Sequence, residues 1–402
     1  MPSDYFPDLL IIGAGITGLT LAWTYRQAFP TARITLIDKE SAVAQHASGR
    51  NSGVLHAGFY YSPDSLKARL CQQGNQRMQA FCREHGLALA VCGKWVVTAS
   101  QEEVPRLRQL YERGLRNGVP LQWCTAAELS AAEPEARTVD YALFSPTTAT
   151  VDPVQVCDFL YQMLLKQGVS FVFDTRFERR DAHRGVRTSR GVFYPKRVVN
   201  CAGLYADRIA TAFGVHHPYT LLPFKGLYLD YCGDSDLLQG HLYPVPDPRQ
   251  PFLGVHYTRT VQGRLKIGPT AIPALWRENY QGMSRFQLRE LTEILWHEAG
   301  LFLSNRFGFR DLALQEIQKY WPPLFAQRAE HLTHRSVAKH FGASLKPGIR
   351  AQLFDKRSRA LVSDFIVEDD GYALHVLNAV SPAFTCSFAF AEHLCNHYLV
   401  ST

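Results

Sequence analysis

The sequence predicts an α/β fold in which a nucleotide-binding domain is combined with a second domain built on an antiparallel sheet. Three observations support this prediction: an N-terminal strand, glycine turn and helix; two strand-like segments much further along the chain; and two short β-rich runs around a central glycine. The chain has 402 residues and is 46% hydrophobic, so it is long and apolar enough to form two cores.

The N-terminal segment has the order of elements that opens a doubly wound sheet. Residues 8–12 form an apolar run of strand length, and residues 16–29 show helical periodicity that ends before Pro30. Residues 33–37 are a second β-rich run. We therefore predict a strand, a helix and a second strand parallel to the first, with a glycine-rich turn between the first two.

Gly13, Gly15 and Gly18 in this turn have the spacing Gly-x-Gly-x-x-Gly. The first glycine allows the tight turn, the second lets a pyrophosphate approach the backbone, and the third lets the helix pack on the strand. Asp38 follows the second strand at the distance at which a carboxylate binds an adenosine ribose. The residues that we assign to a dinucleotide are Gly13, Ala14, Gly15, Ile16, Thr17, Gly18, Asp38 and Lys39.

Two later segments have the same strand-then-turn character. The run KRVVNCAGLYAD leads from β-branched residues into Ala202 and Gly203, with Asp207 beyond them. Near the C-terminus, HVLNAVSPAFTC passes from a strand through the turn Ser381-Pro382-Ala383 into a helix. Three separated segments that close on one ligand suit a long, two-ended molecule, and the chain has a single glycine fingerprint. Both points favour FAD over NAD.

The loop NSGVLHAGFYYSPDSLKARLC, residues 51–71, combines glycines with polar and aromatic side chains. Gly53 and Gly58 allow the backbone to approach a ligand closely, and His56 lies between them. A histidine is neutral near pH 7 and is therefore a suitable base. A second histidine, His256, lies in the strand-like run FLGVHYT beside small residues, which indicates that it lines a cavity.

Five motifs together resemble the FAD-dependent L-2-hydroxyglutarate dehydrogenases and oxidases, within the wider group of D-amino-acid-oxidase-like and glycerol-3-phosphate-dehydrogenase-like flavoproteins. They are IIGAGITGL, NSGVLHAGFYYSPDSLKARLC, YPVPDPRQPFLGVHYTR, PGIRAQ and NAVSPA, in this order along nearly the whole chain. The resemblance implies FAD-dependent oxidation of L-2-hydroxyglutarate to 2-oxoglutarate by hydride transfer to the flavin. It also implies a quinone or an electron-transfer protein as the electron acceptor.

The same resemblance implies a glutathione-reductase-type, Rossmann-like FAD-binding domain that is interleaved with an α+β substrate domain on an antiparallel sheet. We expect the FAD-binding domain to consist of residues 1–90, 150–215 and 345–402. Residues 91–149 and 216–344 then form the substrate domain, and the two short β-rich runs lie within it.

The resemblance assigns catalytic roles to the two histidines. His56 is our preferred base for the substrate hydroxyl, and His256 is the rival for that role. Whichever histidine is not the base is expected to bind a carboxylate or oxyanion. Tyr60 and Tyr61 are expected to donate hydrogen bonds to a substrate carboxylate.

The second carboxylate of a dicarboxylic substrate needs its own cation. Arg350 is our first choice, because a guanidinium grips a carboxylate in bidentate fashion, and Lys225 is the second. At Lys225 the relatives tend to have arginine, and at Arg50 they often have histidine. Further cofactor contacts are expected from Ser48, Arg50, Asn51, Ser52, Gly53, Ala202, Gly203, Asp207, Ser381, Pro382 and Ala383.

Other functions remain open at this stage. The same fold also serves oxidases and dehydrogenases of other 2-hydroxy acids, amino acids or glycerol 3-phosphate. A flavoprotein that uses its net charge of +7 to hold nucleic acid is a different class. We expect no nucleic-acid binding, because the sequence has no RNA-binding signature. We also expect no metal site, because histidines and acids do not occur together at chelating spacing.

The cysteines and the apolar runs indicate the cellular compartment of the protein. Nine cysteines without a Cys-x-x-Cys pair indicate reduced thiols and a cytoplasmic protein. The uncharged residues 9–25 and 376–391 are too short or too interrupted to span a membrane. Residues 285–325 mix arginines with aromatic side chains such as Trp296 and Trp321. This pattern fits either helices packed on the substrate domain or a peripheral contact with the cytoplasmic face of the inner membrane.

Overall fold

The computed structural model describes residues 5–234, 236–247, 253–305 and 309–400. In chain order its α-helices are α1 (Ile16–Ala28), α2 (Leu66–Glu84), α3 (Val104–Arg116), α4 (Ala126–Ala132), α5 (Pro153–Lys166), α6 (Ala206–Ala212), α7 (Leu288–Ser304), α8 (Phe309–Gln318), α9 (Pro322–Glu330) and α10 (Ala383–Leu394). Its strands are β1 (Leu9–Ile12), β2 (Ile34–Ile37), β3 (Val54–Leu55), β4 (Leu89–Ala90), β5 (Lys94–Val97), β6 (Gln122–Thr125), β7 (Tyr141–Ser145), β8 (Ala149–Val151), β9 (Ser170–Val172), β10 (Phe177–Arg180), β11 (Val186–Thr188), β12 (Gly191–Phe193), β13 (Arg197–Asn200), β14 (Tyr219–Gly226), β15 (Leu229–Tyr231), β16 (His241–Pro244), β17 (His256–Arg259), β18 (Leu265–Gly268), β19 (Ile272–Pro273), β20 (Phe341–Ser344), β21 (Gly348–Asp355), β22 (Ala360–Leu361), β23 (Val367–Asp369) and β24 (Ala373–Val376).

The first large sheet has six strands in the spatial order β23-β24-β13-β1-β2-β9. Neighbouring strands are parallel except for β23, which lies antiparallel to β24 at one edge. Every residue of β1, β2, β13 and β24 is buried, as expected for a sheet that is covered on both faces. The predicted N-terminal strand–helix–strand unit and the α/β fold class are confirmed.

Helices cover one face of this sheet, and a small sheet of β10, β11 and β12 covers the other. The helical core includes Leu19 of α1, Leu160 of α5 and Phe390 of α10. On the other face, Phe193 of β12 packs in the same core as Val198 of β13. Since α1 follows β1 and α10 follows β24, both helices begin at the carboxyl edge of the sheet, where a nucleotide is expected to bind.

The second large sheet has eight strands in the order β20-β15-β18-β17-β16-β5-β7-β6. β17 and β18 form the predicted antiparallel hairpin, and Gly263 in its turn has φ +81°. Side chains alternate between the faces of a strand, and one face joins an apolar core with α9 through residues such as Trp95, Leu242 and Tyr257. The opposite face, here called the polar face, presents the buried residues Lys94, His241, Tyr243, His256, Thr258 and Lys266.

β14 and β21 form the centre of a third sheet, in the order β19-β14-β21-β22. They pair antiparallel over their full length. β21 lies in the range 345–402 that we assigned to the FAD-binding domain, yet its partner β14 lies in the substrate-domain range. We therefore propose that the substrate domain extends through β22.

Helices α7 to α9 leave large apolar side chains at the surface. Trp296 and Leu303 of α7 are both 80% exposed and lie about two helical turns apart, and Leu288 on the same helix is also exposed. Trp321, just before α9, is 71% exposed. We call these four residues the apolar row. Residues 306–308 of this segment lie outside the described residues. None of the described helices is both long enough and apolar enough to cross a membrane.

Candidate active site

The glycine turn after β1 leaves no room for side chains at two of its three glycines. Gly13 has φ +112°, and a Cβ atom on it would lie 2.5 Å from the carbonyl oxygen of Cys201. A Cβ atom on Gly18 would lie 2.0 Å from the carbonyl oxygen of Gly13. At Gly15 a Cβ atom meets only a side chain, with the Ser48 hydroxyl at 2.9 Å. The start of α1 is therefore a bare backbone surface, which suits a pyrophosphate.

Asp38 and Ser48, both predicted cofactor contacts, lie against this turn. The Ser48 hydroxyl accepts a hydrogen bond from the Ile16 N–H at 2.9 Å. The Asp38 carboxylate accepts hydrogen bonds from the Ala14 N–H at 2.7 Å and the Glu40 N–H at 2.9 Å. Because a carboxylate has about four acceptor sites, Asp38 keeps the capacity to accept from a ribose hydroxyl.

An ion-pair network lies beyond Asp38 and uses Lys39, which we had assigned to the cofactor. Lys39 pairs with Glu278 at 2.7 Å, and Arg285 pairs with Glu40 and Glu278 at 2.5 Å each. The ligand atoms of Glu40, His46 and Glu278 lie within 4.8 Å of one another, as in a metal site. The two cations balance the two carboxylates, however, so we assign these residues to an ion-pair network and no longer assign Lys39 to the cofactor.

The loop after β13 reaches the same edge of the sheet as the glycine turn. Gly203 has φ +53°, and a Cβ atom there would meet open space. Asp207, which we had assigned to the cofactor, is instead buried in an ion pair. Its carboxylate oxygens accept hydrogen bonds from Arg277 at 2.6 and 2.7 Å and from the Leu221 N–H at 3.1 Å. These partners occupy the carboxylate, so we reassign Asp207 to holding α6 against β14.

The turn at the start of α10 meets the loop that holds His56. α10 begins directly after Pro382, and the His56 N–H donates a hydrogen bond to the Thr385 hydroxyl at 3.1 Å. Lys67 donates a hydrogen bond to the carbonyl oxygen of Ser381 at 3.1 Å. His56 and the N-terminus of α10 are therefore neighbours, and the helix dipole there stabilises negative charge such as that of a reduced flavin.

The loop before β3 is braced by its own side chains. Asn51 donates a hydrogen bond to the carbonyl oxygen of Ser48 at 2.8 Å and accepts one from the Gly53 N–H at 2.8 Å. The Arg50 guanidinium stacks 4.3 Å over the ring of Tyr280 and donates to backbone carbonyls. Since the side chains are used to hold the loop, we propose that its backbone contacts the flavin.

His256 is fixed in one orientation on the polar face. Its ring stacks on Tyr243, with 3.7 Å between the centroids and 19° between the planes. Its Nδ1 lies 2.7 Å from the carbonyl oxygen of Gly254, so Nδ1 is the protonated nitrogen and Nε2 has the free lone pair. Burial first, and then the charges of Lys94 and Arg350, lower the pKa of His256 to about 3. His256 is therefore a neutral acceptor at pH 7.

His56 differs from His256 in having no fixed ring orientation. It is half-buried, and none of the described residues forms a hydrogen bond with its ring nitrogens. Burial first, and then the charge of Lys94, hold the pKa of His56 well below its usual value. The imidazole is therefore neutral and able to bond to a ligand through either nitrogen.

Lys94 is a site residue that the sequence analysis missed. Its ammonium has no hydrogen-bond partner among the described residues and lies 4.5, 4.5 and 4.8 Å from the ring centres of Phe59, Tyr60 and Tyr243. Burial lowers its pKa to about 7. The hydroxyl of Tyr60 is also buried without a partner among the described residues, whereas Tyr61 packs against the helical core. The sequence feature that could have identified this residue is a single cation, Lys94, at the start of the otherwise apolar strand KWVV.

Arg350 and Lys225 do not form a pair of cations in one site. The register of β14 and β21 puts their side chains on opposite faces of the sheet. Arg350 donates a hydrogen bond to the carbonyl oxygen of Thr270 at 3.1 Å, and its charge acts on His256. Lys225 donates to the side-chain oxygen of Asn279 at 3.2 Å instead. We keep Arg350 as the proposed carboxylate ligand and no longer propose Lys225.

The sequence matches the model of one protein family, described as FAD dependent oxidoreductase and abbreviated DAO, over residues 8–396. The chain belongs to the DAO family of FAD-dependent oxidoreductases. FAD, predicted from the glycine turn and the two later segments, is therefore confirmed as the cofactor. The bare backbone at the glycine turn, with Asp38 and Ser48 beside it, fits its pyrophosphate and ribose.

Several relatives of this oxidoreductase are similar along nearly its whole length. The L-2-hydroxyglutarate dehydrogenase of Escherichia coli K12 is 33% identical over 96% of this chain and 92% of its own. The mitochondrial L-2-hydroxyglutarate dehydrogenases of Bos taurus and Homo sapiens are 36% and 35% identical, each over 96% of this chain and 87% of theirs. The resemblance that the five motifs indicated is confirmed.

Solved structures with the same fold confirm the architecture. An L-α-glycerophosphate oxidase from Mycoplasma pneumoniae with FAD bound has a TM-score of 0.76 at 20% identity, covering 99% of this chain and 95% of its own. A glycine oxidase from Geobacillus kaustophilus has a TM-score of 0.71 at 17% identity, covering 98% and 94%. At these identities the likeness establishes the fold of this oxidoreductase.

Proposed function

We propose that this FAD-dependent oxidoreductase oxidises L-2-hydroxyglutarate to 2-oxoglutarate. The charge of the polar face is the observation that supports this substrate class best. The face has the buried cation Lys94, with the Arg350 charge acting on His256, and the acid that the register places on this face, Asp230, lies beside Lys266 on the neighbouring strand β15. Such a site favours a dianion over a monoanion. The dehydrogenases that are similar along the whole chain support the same substrate.

The residues around His56 divide the chemistry among them. FAD, when bound, supplies the acceptor for the hydride that leaves C2 of the hydroxy acid. We assign His56 as the base that takes the hydroxyl proton, because it neighbours the N-terminus of α10 and none of the described residues bonds to its ring nitrogens. His256, whose fixed Nε2 is an acceptor, is the rival for the same proton, and Arg350 binds the carboxylate beside C2. Loss of one proton and one hydride leaves the 2-oxo acid.

L-2-hydroxyglutarate is expected to bleach the flavin far more efficiently than L-lactate. L-lactate has one carboxylate, so it leaves one cationic contact unused. Loss of such a contact costs about 2–3 kcal/mol, which is roughly a 30- to 150-fold lower kcat/KM. The measurement is anaerobic mixing of the purified holoenzyme with each acid, followed at the flavin absorbance band.

D-2-hydroxyglutarate is the matched control for that experiment, because it has the same charge with the opposite configuration at C2. It should bind without rapid bleaching. Equal kcat/KM for L-2-hydroxyglutarate and L-lactate would show that the site does not recognise a second carboxylate. Rapid reduction by an amino acid or glycerol 3-phosphate alone would replace the proposed substrate.

We further propose that the apolar row contacts a membrane and that electrons leave to a membrane quinone. The exposed indoles of Trp296 and Trp321 and the nearby Leu303 suit the interface between headgroups and acyl chains. A peripheral contact on the cytoplasmic face of the inner membrane brings the reduced enzyme close to a quinone dissolved in the lipid.

Replacing Trp296 and Leu303 by glutamate is expected to abolish co-sedimentation with vesicles of phosphatidylethanolamine and phosphatidylglycerol. A charge introduced into an interfacial apolar contact opposes its burial in lipid. Leu165→Glu on α5 is the matched control, because Leu165 is an exposed leucine on a helix far from α7 in sequence. Unchanged vesicle binding of the Trp296→Glu, Leu303→Glu variant would argue against the apolar row as a membrane contact.

A further inference from the structure

The Lys94 ammonium is a buried cation to which the described residues offer no acceptor. Lys94 has no exposed surface, and the rings of Phe59, Tyr60 and Tyr243 enclose its Nζ. Aromatic faces attract a cation but supply no formal negative charge. The neighbouring Tyr60 hydroxyl is a second buried donor without an acceptor. Because buried donors are normally satisfied, two adjacent exceptions indicate that the acceptor arrives with a ligand.

Strand order places Lys94 and Arg350 on opposite sides of His256. Lys94 lies on β5, and β16 separates that strand from β17, which holds His256. β18 is the neighbour of β17 on the other side, and Arg350 bonds to Thr270, just after β18. The charges of both cations act on His256. A ligand with one negative group at each end therefore matches this arrangement, whereas a monocarboxylate engages one cation.

We propose that Lys94 is the specificity-determining cation for the second carboxylate of the substrate, with the Tyr60 hydroxyl as its partner donor. This inference rests on the proposed function and deepens it, because it names the residues that separate a dicarboxylic from a monocarboxylic acid. The charge of Lys94 acts through a region that excludes water, so it is screened less than a surface charge. The ring cage holds the ammonium on the side of the polar face opposite Arg350.

The experiment compares two acids that lack the hydroxyl and cannot be oxidised: glutarate, a dianion, and butyrate, a monoanion. Dissociation constants are read from the change in the flavin spectrum of the holoenzyme. Lys94→Met should weaken glutarate roughly 10- to 100-fold, as for the loss of a charged hydrogen bond, and butyrate less than about threefold, in line with an unpaired contact. Lys94→Arg should keep most of the preference for glutarate.

Tyr60→Phe keeps the ring cage and removes only the hydroxyl. It should weaken glutarate by about three- to tenfold, as for a neutral hydrogen bond. Lys266→Met is the matched control, since Lys266 is another buried lysine on the polar face, set over the Tyr228 ring at 4.8 Å. In Lys266→Met, the ratio of glutarate affinity to butyrate affinity should remain closer to the wild-type ratio than it does in Lys94→Met.

Two outcomes overturn the proposal. Lys94→Met could bind both acids with wild-type affinity, or it could weaken both acids equally, as expected if Lys94 only clamps the loop to the sheet. If Lys94→Met does not fold or retain FAD, the decision rests on Tyr60→Phe, and a wild-type ratio in that variant overturns the proposal. Oxidation of L-2-hydroxyglutarate by the wild type tests the proposed function separately, because it does not depend on the variant ratios.

The pH dependence of glutarate affinity gives a second readout. Lys94 loses its charge as the pH rises through about 7, because burial lowers its pKa to that value. Wild-type affinity should therefore fall above pH 7, and Lys94→Met should show no such fall. The titratable groups that face Lys94 remain in this variant and so serve as its internal control: His56, Tyr60, Cys71, His241, Tyr243 and His256.

Discussion

Gly15→Leu is expected to give a folded protein that is purified without its flavin. Of the three glycines in the turn, Gly15 is the one where an added side chain meets only another side chain, that of Ser48. The Ser48 hydroxyl can rotate away, so the fold should survive. The leucine then covers the backbone at the start of α1, where the pyrophosphate must approach. The measurement is the ratio of flavin absorbance to protein absorbance after purification.

Gly300→Leu is the matched control for this substitution. A Cβ atom on Gly300 meets nothing within 4 Å, so the same change of residue is sterically tolerated there. This variant should keep the wild-type flavin content, and its circular dichroism should match that of Gly15→Leu. Full flavin occupancy in a folded Gly15→Leu protein would contradict the assignment of the pyrophosphate to this turn.

The cofactor end of the molecule was predictable because its signals are local. A Cβ atom on Gly18 would clash with Gly13 within the same turn, and the left-handed φ of Gly13 favours glycine, so the spacing of these glycines reports local backbone requirements. Asp38 and Ser48 lie against that turn as expected. Sequence motifs of this kind report structure whenever the physical requirement and the residues that meet it lie close together along the chain.

The substrate end was less predictable because it depends on pairings between distant strands. Lys94 faces His241 only through the parallel register of β5 with β16. Arg350 and Lys225 look equivalent as cations in sequence, but the register of β14 and β21 separates them onto two faces. A shift of one residue in register would put both cations on the same face of the sheet, and no local motif records that choice.

Asp207 shows that an ion pair can give a motif residue a structural role in place of the predicted contact with the cofactor. The segment CAGLYAD has the small residues and the acid expected near a flavin, and its glycine adopts the left-handed conformation. The acid nevertheless finds Arg277, which lies in a different part of the chain and is itself almost fully buried. A buried bidentate pair of this kind is broken only at a large cost, so the carboxylate is not available to a ligand.

His56→Ala should slow anaerobic flavin reduction by L-2-hydroxyglutarate about 10²- to 10⁴-fold, the usual contribution of a general base. Substrate affinity should change little, because the proposed carboxylate ligands remain. His256→Ala should mainly raise the apparent Kd, since it removes a ring that stacks on Tyr243 in the site and leaves the base in place. Stopped-flow traces at several substrate concentrations separate the limiting rate from the Kd.

The pH profile of the limiting reduction rate identifies the base independently. A histidine base must be unprotonated to act, so the rate falls as the pH drops below the pKa of that histidine. Burial lowers the pKa values of both His56 and His256, so wild-type reduction should persist well below pH 6.5. The bound dianion offsets nearby positive charge and so raises the pKa of the histidine. This moves the acidic limb of the profile, the pH range in which the rate falls, toward higher pH. The acidic limb should disappear in the variant that lacks the base and persist in the other. Wild-type reduction by His56→Ala, with loss of the limb in His256→Ala, would transfer the role of base to His256.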